Sequence, residues 1–244
     1  FAYSDKVSID PKGRVHTFCH AIPDTWHIMG VTQGAGLSLK WYRDNFCIEE
    51  KRVAELMDVD PYVLMDKEAE KVDAGCTGLI YLPYMMGERT PHLDPDARGV
   101  FFGLSAKHGK QDMLRAIMEG VTYSLRDCLE IIKEMNIPVS EVRASGGGGK
   151  SKLWRQMQAD VFNADIATIN SSEGPALGVA ILAGVGTGVY DNVAQACEAV
   201  IKIKGVQEAD SNMHEKYNKF YKIYRQLYNS LKQDFKDLAS IVNG

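Results

Sequence analysis

Two glycine-rich segments carry the residue types that could do chemistry. The first runs from Ala144 to Ser151 and places four consecutive glycines, then Lys150 and Ser151, between a predicted strand and a predicted helix. Backbone N–H groups at such a helix start bind phosphate, and missing side chains let a ligand approach the backbone closely. The segment also fits a relaxed P-loop, whose lysine contacts the outer phosphates and whose serine binds Mg²⁺. A P-loop NTPase is therefore one function that the segment permits.

Two features count against a P-loop. The segment lies past the middle of the chain, whereas P-loops usually open their domain. The next predicted strand, Ile166–Ile169, ends in Asn170 and not in a metal-binding aspartate. The alternatives are a different ligand-binding turn, which four glycines favour over one, and a tight turn that binds nothing.

The second segment has Gly34, Ala35 and Gly36 at the start of a predicted helix, with Lys40 one turn later. Helix N-terminal amides and a lysine ammonium could hold a phosphate together. The alternative is a helix-starting turn followed by a solvated lysine.

Composition narrows the class of protein. The 244 residues carry a net charge of −4 and are 45% hydrophobic, which predicts a soluble domain and excludes a polybasic nucleic-acid surface and a collagen or low-complexity chain. The five cysteines are widely spaced without a C-x-x-C pair, so we expect no disulfide framework or zinc site, and a reducing cytoplasm is favoured. The longest uncharged run, Gly174 to Tyr190, is interpreted as a buried helix and not a membrane span.

Hydrophobic periodicity predicts the elements that position the two segments. Strands dominate up to Thr32, and helices and strands alternate afterwards. The predicted helices from there on are Leu37–Asn45, Glu49–Asp58, Asp66–Val72, Gln111–Met135, Ser151–Asn163, Pro175–Val185, Val193–Ile201 and a long one from about Met213 to Leu238. The predicted strands are Thr77–Tyr84, Val100–Leu104, Val139–Ser145 and Ile166–Ile169. This order predicts an α/β domain with a mixed sheet flanked by helices.

Several segments together resemble the FGGY carbohydrate kinases, and most of all the xylulokinases among them. The order and spacing of these segments agree from the start of the chain to about residue 200. The matching segments are Gly34–Trp41, Pro83–His92, Arg98–Leu104, Ser145–Gly148 with Lys152–Gln156 and Ala159–Asp160, and Glu173–Gly178.

The resemblance implies a two-lobed actin-like, ribonuclease-H-like fold with ATP in the cleft between the lobes. Residues 1–244 would form the C-terminal, nucleotide-binding lobe, with its last helix from about residue 213. The N-terminal lobe, with the sugar site and the catalytic aspartate, would lie before Phe1, so this chain alone is expected to be inactive. The implied reaction is the ATP- and Mg²⁺-dependent phosphorylation of D-xylulose to D-xylulose 5-phosphate in the cytoplasm. Gluconate, ribulose and glycerol kinases of the same family are the alternatives.

The resemblance also assigns binding residues. Gly147 and Ser151 would lie at the adenine and ribose, and Gly36 and Lys40 at the phosphates. Gly146 and Gly148 are also expected to bind the nucleotide. Glycerol kinases carry Asn in place of Ser151 and Gln in place of Lys40, so the backbone contacts at Gly36 and Gly147 have the stronger support. No catalytic residue and no metal ligand is assigned to this chain. The expected partners are a nucleotide and a sugar held mainly by the other lobe, with no nucleic acid or membrane and with a possible homodimer.

Other conspicuous residues are given weaker roles. Glu88 and Arg89 are the local candidates for a side chain facing the cleft, with a salt-bridged loop as the alternative. Asp94 and Asp96 are interpreted as turn residues, and His16 and His20 as structural. The aromatic stripe of the last helix is expected to dock on this domain or on the missing lobe. A binding module that keeps the fold but uses no nucleotide is a third functional hypothesis.

Overall fold

A computed structural model describes residues 1–171 and 174–243, so Glu173 of the last matching segment lies outside the described residues. The helices are α1 (Ala35–Phe46), α2 (Ile48–Leu56), α3 (Pro61–Glu70), α4 (Lys110–Glu134), α5 (Lys152–Phe162), α6 (Gly174–Gly186), α7 (Val193–Val200) and α8 (Ser211–Asn243). The strands are β1 (Ala2–Ser4), β2 (His16–Cys19), β3 (Trp26–Met29), β4 (Ile80–Leu82), β5 (Val100–Phe102), β6 (Val142–Arg143), β7 (Ile166–Ile169) and β8 (Ile203–Gln207).

The strands within the described residues form three small sheets. β3 lies between β1 and β2, with both pairs antiparallel, and β4 pairs antiparallel with β5. In the third sheet β7 pairs parallel with β6 and antiparallel with β8. This last sheet is mixed, as predicted, but backbone hydrogen bonds distribute the described strands over three sheets. The sequence did not predict β8, because its exposed residues include lysine and glycine and show no apolar alternation.

Helix α4 is the centre of the domain, and 17 of its 25 residues are buried. Its first turn is held by Asp112, whose carboxylate accepts a hydrogen bond from the Gly109 N–H at 2.8 Å. Helices α1, α3 and α5 pack against one part of α4, and β4 and α8 against another. The two predicted sites at the starts of α1 and α5 therefore belong to helices that share one supporting element.

The aromatic stripe of α8 docks on this domain. Tyr217, Tyr221 and Tyr224 are buried and pack against Tyr123 of α4, with ring centroids 5.4 to 6.3 Å apart. The prediction that the last helix carries a docking face is confirmed, and its partner is α4.

The interpretation of α6 as a buried helix is wrong. Ile181 is its only buried residue among those described, and Val179 is 67% exposed. The sequence of α6 is apolar on every side, so no periodic pattern indicates which face is covered. Alanine and glycine also contribute little apolar area, so helix composition alone does not decide burial. None of the helices described is both long and apolar enough to cross a membrane.

Candidate functional site

The turn before α1 contains two glycines with different surroundings. A Cβ on Gly34 would lie 1.6 Å from the carbonyl oxygen of Pro83, so backbone packing excludes any side chain there. The Gly34 carbonyl accepts a hydrogen bond from the Ser38 N–H at 3.0 Å, which starts the helix. At Gly36, by contrast, no heavy atom lies within 4 Å of the position a Cβ would take, and the residue is exposed. Packing therefore accounts for Gly34 and leaves Gly36 open to a ligand.

The start of α1 suits an anion. No side chain caps this helix, and its first turn contains no acidic residue. The first-turn N–H groups carry partial positive charge, and Lys40, one turn later, is exposed to solvent. Gly36 and Lys40 thus lie one turn apart on α1, both exposed, and their binding of phosphate stays a prediction.

The loop after β6 also divides its glycines into two kinds. Gly146 and Gly147 are exposed, and no heavy atom lies within 4 Å of a Cβ placed on either. Added Cβ atoms on the two following glycines would meet Trp154 at 3.4 Å and the carbonyl carbon of Ala144 at 3.0 Å, respectively. The loop is closed by Arg155, whose guanidinium donates to the carbonyl of the last glycine of the run at 2.7 Å. The first two glycines are thus the ones that leave room for a ligand.

Ser151 is already used within the chain. Its hydroxyl oxygen accepts a hydrogen bond from the Trp154 N–H at 3.0 Å and caps α5. Burial raises the pKa of Asp66 on α3, and a hydrogen bond with Ser151 opposes that rise. A ribose contact of Ser151 stays a prediction, and capping is the role that the structure gives it. Lys150, the lysine of the P-loop alternative, is exposed.

Helices α1 and α5 pack against the same apolar cluster near their first turns. Leu39 of α1 and Trp154 of α5 belong to the same apolar cluster, together with Met118 of α4. The indole N–H of Trp154 donates to the hydroxyl of Thr122 on α4 at 2.9 Å, which fixes the first turn of α5.

A cavity of about 270 Å³ lies between α4, α5 and α8, and none of the predicted binding residues lines it. Among the residues described, no three His, Cys, Asp or Glu side chains are grouped to hold a metal.

The loop between β4 and β5 contains a functional candidate whose position differs from the prediction. Glu88 does not face a cleft, because its side chain is buried and accepts hydrogen bonds from the N–H of Gln33 and the hydroxyl of Thr32, both at 3.0 Å. Burial raises the pKa of Glu88. Arg89, its neighbour, is exposed. The sequence contains only a weak signal that Glu88 is buried and hydrogen-bonded, since a lone glutamate in a polar loop is usually exposed to solvent.

The aspartate and histidine residues that the sequence assigns to structural roles have such roles in the structure. Asp94 is buried and accepts a hydrogen bond from the Asp96 N–H at 3.0 Å, which confirms the turn. His16 stacks on Phe18, and His20 packs against His27 and Tyr3.

Comparison with known proteins places these segments in a family. Residues 2–187 match the model of the C-terminal domain of the FGGY family of carbohydrate kinases. The xylulose kinase of Staphylococcus epidermidis is 39% identical over 229 residues, which are 94% of this chain and 44% of that protein. The gluconokinase of Bacillus subtilis is 40% identical over 190 residues, or 77% of this chain and 37% of that protein. The chain therefore spans less than half the length of these relatives.

A solved structure agrees with the sequence matches. The ligand-bound xylulose kinase from Lactobacillus acidophilus superposes with a TM-score of 0.83 at 27% identity, covering 97% of this chain and 46% of that one. This likeness confirms the predicted actin-like, ribonuclease-H-like fold class. Neither comparison supports the P-loop alternative.

Proposed function

This chain belongs to the FGGY family of carbohydrate kinases, and from that premise we propose that residues 1–244 form the C-terminal, nucleotide-binding lobe of an ATP-dependent sugar kinase. The phosphates of ATP bind at Gly36 and Lys40, and its adenosine binds along Gly146, Gly147 and Gly148, beside Ser151. The complete enzyme phosphorylates D-xylulose in the cytoplasm, and its other lobe holds most of the sugar site. Mg²⁺ enters with the nucleotide, and no residue of this chain is assigned to it.

One observation carries the nucleotide proposal. Gly36 and Gly147 face open space without a left-handed φ, whereas packing accounts for Gly34 and a φ of +70° accounts for Gly146. A ligand that approaches the backbone closely at these two turns accounts for a glycine there. The uncapped helix end beside Gly36 supplies partial positive charge at the same point.

The first prediction tests Gly36. Changing Gly36→Val should weaken ADP binding by about tenfold, because the added methyl groups occupy the space of a phosphate (about 1.4 kcal/mol). The matched control is Gly186→Val, since that glycine also faces open space and ends helix α6. Isothermal titration calorimetry on the 244-residue chain gives the affinities, and circular dichroism checks that both variants are folded. Equal ADP affinity in the two variants would exclude the phosphate site at α1.

The second prediction concerns charge. Changing Lys40→Gln should weaken binding of ATP and ADP by about three- to tenfold and leave adenosine binding unchanged, because the ammonium contacts only phosphate. The loss should shrink at high salt. Lys216→Gln on α8 removes the same charge from another exposed lysine and should change nothing. An equal effect of Lys40→Gln on adenosine would contradict the assignment.

The sugar is tested by activity. With ATP and D-xylulose, D-gluconate, D-ribulose or glycerol, the 244-residue chain should release ADP no faster than with ATP alone, since the chain spans less than half of its relatives. Sugar-dependent turnover by this chain alone would contradict the division of labour between lobes.

A longer form that includes the segment corresponding to the rest of the relatives should prefer D-xylulose. A preference for D-gluconate would favour the second relative. Absence of any nucleotide binding would favour a binding module that uses no nucleotide.

A further inference from the structure

The segment between β3 and α1 is hydrogen-bonded to a distant loop. Glu88 lies in the loop between β4 and β5 and is only 4% exposed. Its Oε1 accepts from the N–H of Gln33 at 3.0 Å and from the N–H of Arg89 at 2.8 Å. Its Oε2 accepts from the hydroxyl of Thr32 at 3.0 Å, and that hydroxyl accepts from Ser124 of α4 at 2.8 Å. The Glu88 carboxylate therefore connects its own loop with the turn before α1 and, through Thr32, with α4.

A second residue of the same loop holds the preceding backbone. Thr90 N–H donates to the carbonyl of Val31 at 2.9 Å, and Val31 N–H donates to the hydroxyl of Thr90 at 3.0 Å. Since β3 ends at Met29 and α1 begins at Ala35, residues 31–33 belong to no strand or helix. Thr90 pairs both backbone groups of Val31, and Glu88 pairs the N–H of Gln33.

The loop that makes these bonds is itself anchored. Its first residue, Pro83, lies against Gly34, and further along Asp94 accepts a hydrogen bond from the hydroxyl of Tyr228 on α8 at 2.8 Å. The ring of His92 stacks on Tyr228 with centroids 3.5 Å apart. The loop thus runs from α8 to the turn that precedes Gly36.

We propose that Glu88 is a positioning residue for phosphate binding: by holding Thr32 and Gln33 it fixes the direction in which the first-turn amides of α1 and Lys40 face the nucleotide. The inference rests on the proposed function. A carboxylate suits the place because it accepts several hydrogen bonds and donates none. A carboxamide would turn an N–H₂ group toward one of the donors, so the turn would lose one bond and rotate.

The experiment compares two buried glutamates. Glu119 of α4 is also fully surrounded, and its carboxylate accepts from the backbone N–H of Gly75 at 3.1 Å and from Arg115 at 2.9 Å. Glu88→Gln and Glu119→Gln therefore make the same chemical change in two buried carboxylates, of which only Glu88 contacts the turn and Glu119 is paired with Arg115. Both variants are compared with the unaltered chain at 10 °C, where circular dichroism confirms that each is folded.

The readout separates positioning from folding. We expect Glu88→Gln to bind ADP about tenfold more weakly and adenosine as tightly as the unaltered chain, whereas Glu119→Gln binds both normally. A merely structural role of Glu88 would change the two ligands alike or neither, and that result would overturn the inference. If the unaltered chain fails to bind ADP, the proposed function fails; if it binds and Glu88→Gln matches it, only this inference fails.

If Glu88→Gln does not fold, the milder variant Thr32→Val tests the inference. Thr32→Val has nearly the same shape and removes one donor to Glu88, so we expect about threefold weaker ADP binding with adenosine unchanged. An unchanged ADP affinity in a folded Thr32→Val chain would contradict the inference independently.

Discussion

Replacing Gly34 by alanine should lower the free energy of unfolding by about 3 kcal/mol, near the upper end for overpacking substitutions. The reason is distance: the new Cβ would lie 1.6 Å from the Pro83 carbonyl oxygen, and no side-chain rotation can move either atom away. Either α1 or the loop after β4 must move, and Gly34 also accepts the first hydrogen bond of α1. Urea denaturation followed by circular dichroism measures the change.

Gly36→Ala is the matched control for this substitution. The two glycines are two residues apart, and a Cβ on Gly36 meets no heavy atom within 4 Å. Alanine also has a higher helix propensity than glycine, so Gly36→Ala should leave stability unchanged or raise it by up to about 1 kcal/mol. Equal destabilisation by both substitutions would mean that the turn is not packed against Pro83 as described.

The contrast shows what the sequence could predict about the site. Two glycines ahead of a helix indicate a turn and permit a phosphate, and the positions of Gly36 and Lys40 followed from that pattern. The sequence did not reveal that Gly34 is needed for contact with Pro83, because that contact joins residues 49 positions apart. Ser151 was predicted as a ribose contact, yet the same residue type is also a preferred helix cap, and the structure shows the cap.

The dependence on contacts between residues distant in sequence also explains which elements were predicted well and which were predicted poorly. Helix α4 has a long apolar stripe and begins at Lys110, one residue before its predicted start. Strand β8 is exposed, so it has no inward-facing row of apolar residues to detect. Glu88 resembled a solvated loop residue, because burial of a carboxylate depends on donors from Thr32 and Gln33 that lie far away in sequence.

A separate prediction concerns the effect on stability of Asp127, a buried carboxyl group on α4. The hydroxyl of Tyr221 on α8 donates to its Oδ1 at 2.5 Å, and the guanidinium of Arg225 lies 3.7 Å away. Burial raises the pKa of Asp127 to about 7, and these two partners only oppose the rise. The group is therefore protonated in the folded chain at pH values where it is ionised in the unfolded chain.

The sign of the pH effect follows from that difference. Between about pH 4 and pH 7 the folded chain holds a proton that the unfolded chain has lost, so the contribution of Asp127 to stability falls as pH rises and levels off above about pH 7. Asp127→Asn removes the titration and still accepts a hydrogen bond from Tyr221. The variant should therefore be more stable than the unaltered chain near pH 8, by at most about 4 kcal/mol, and equal to it near pH 4.

The difference between the two unfolding curves reports on Asp127, because carboxyl groups that do not interact with it titrate equally in both chains. Urea denaturation at pH 4 to 8 supplies these curves. Asp234→Asn, at an exposed position on α8, removes the same charge and should give a nearly constant difference across the range. A loss of stability in Asp127→Asn at pH 8 would mean that the ionised carboxylate, held by Tyr221 and Arg225, joins α8 to α4. In that case the attraction between the ions would outweigh the cost of burying the charge.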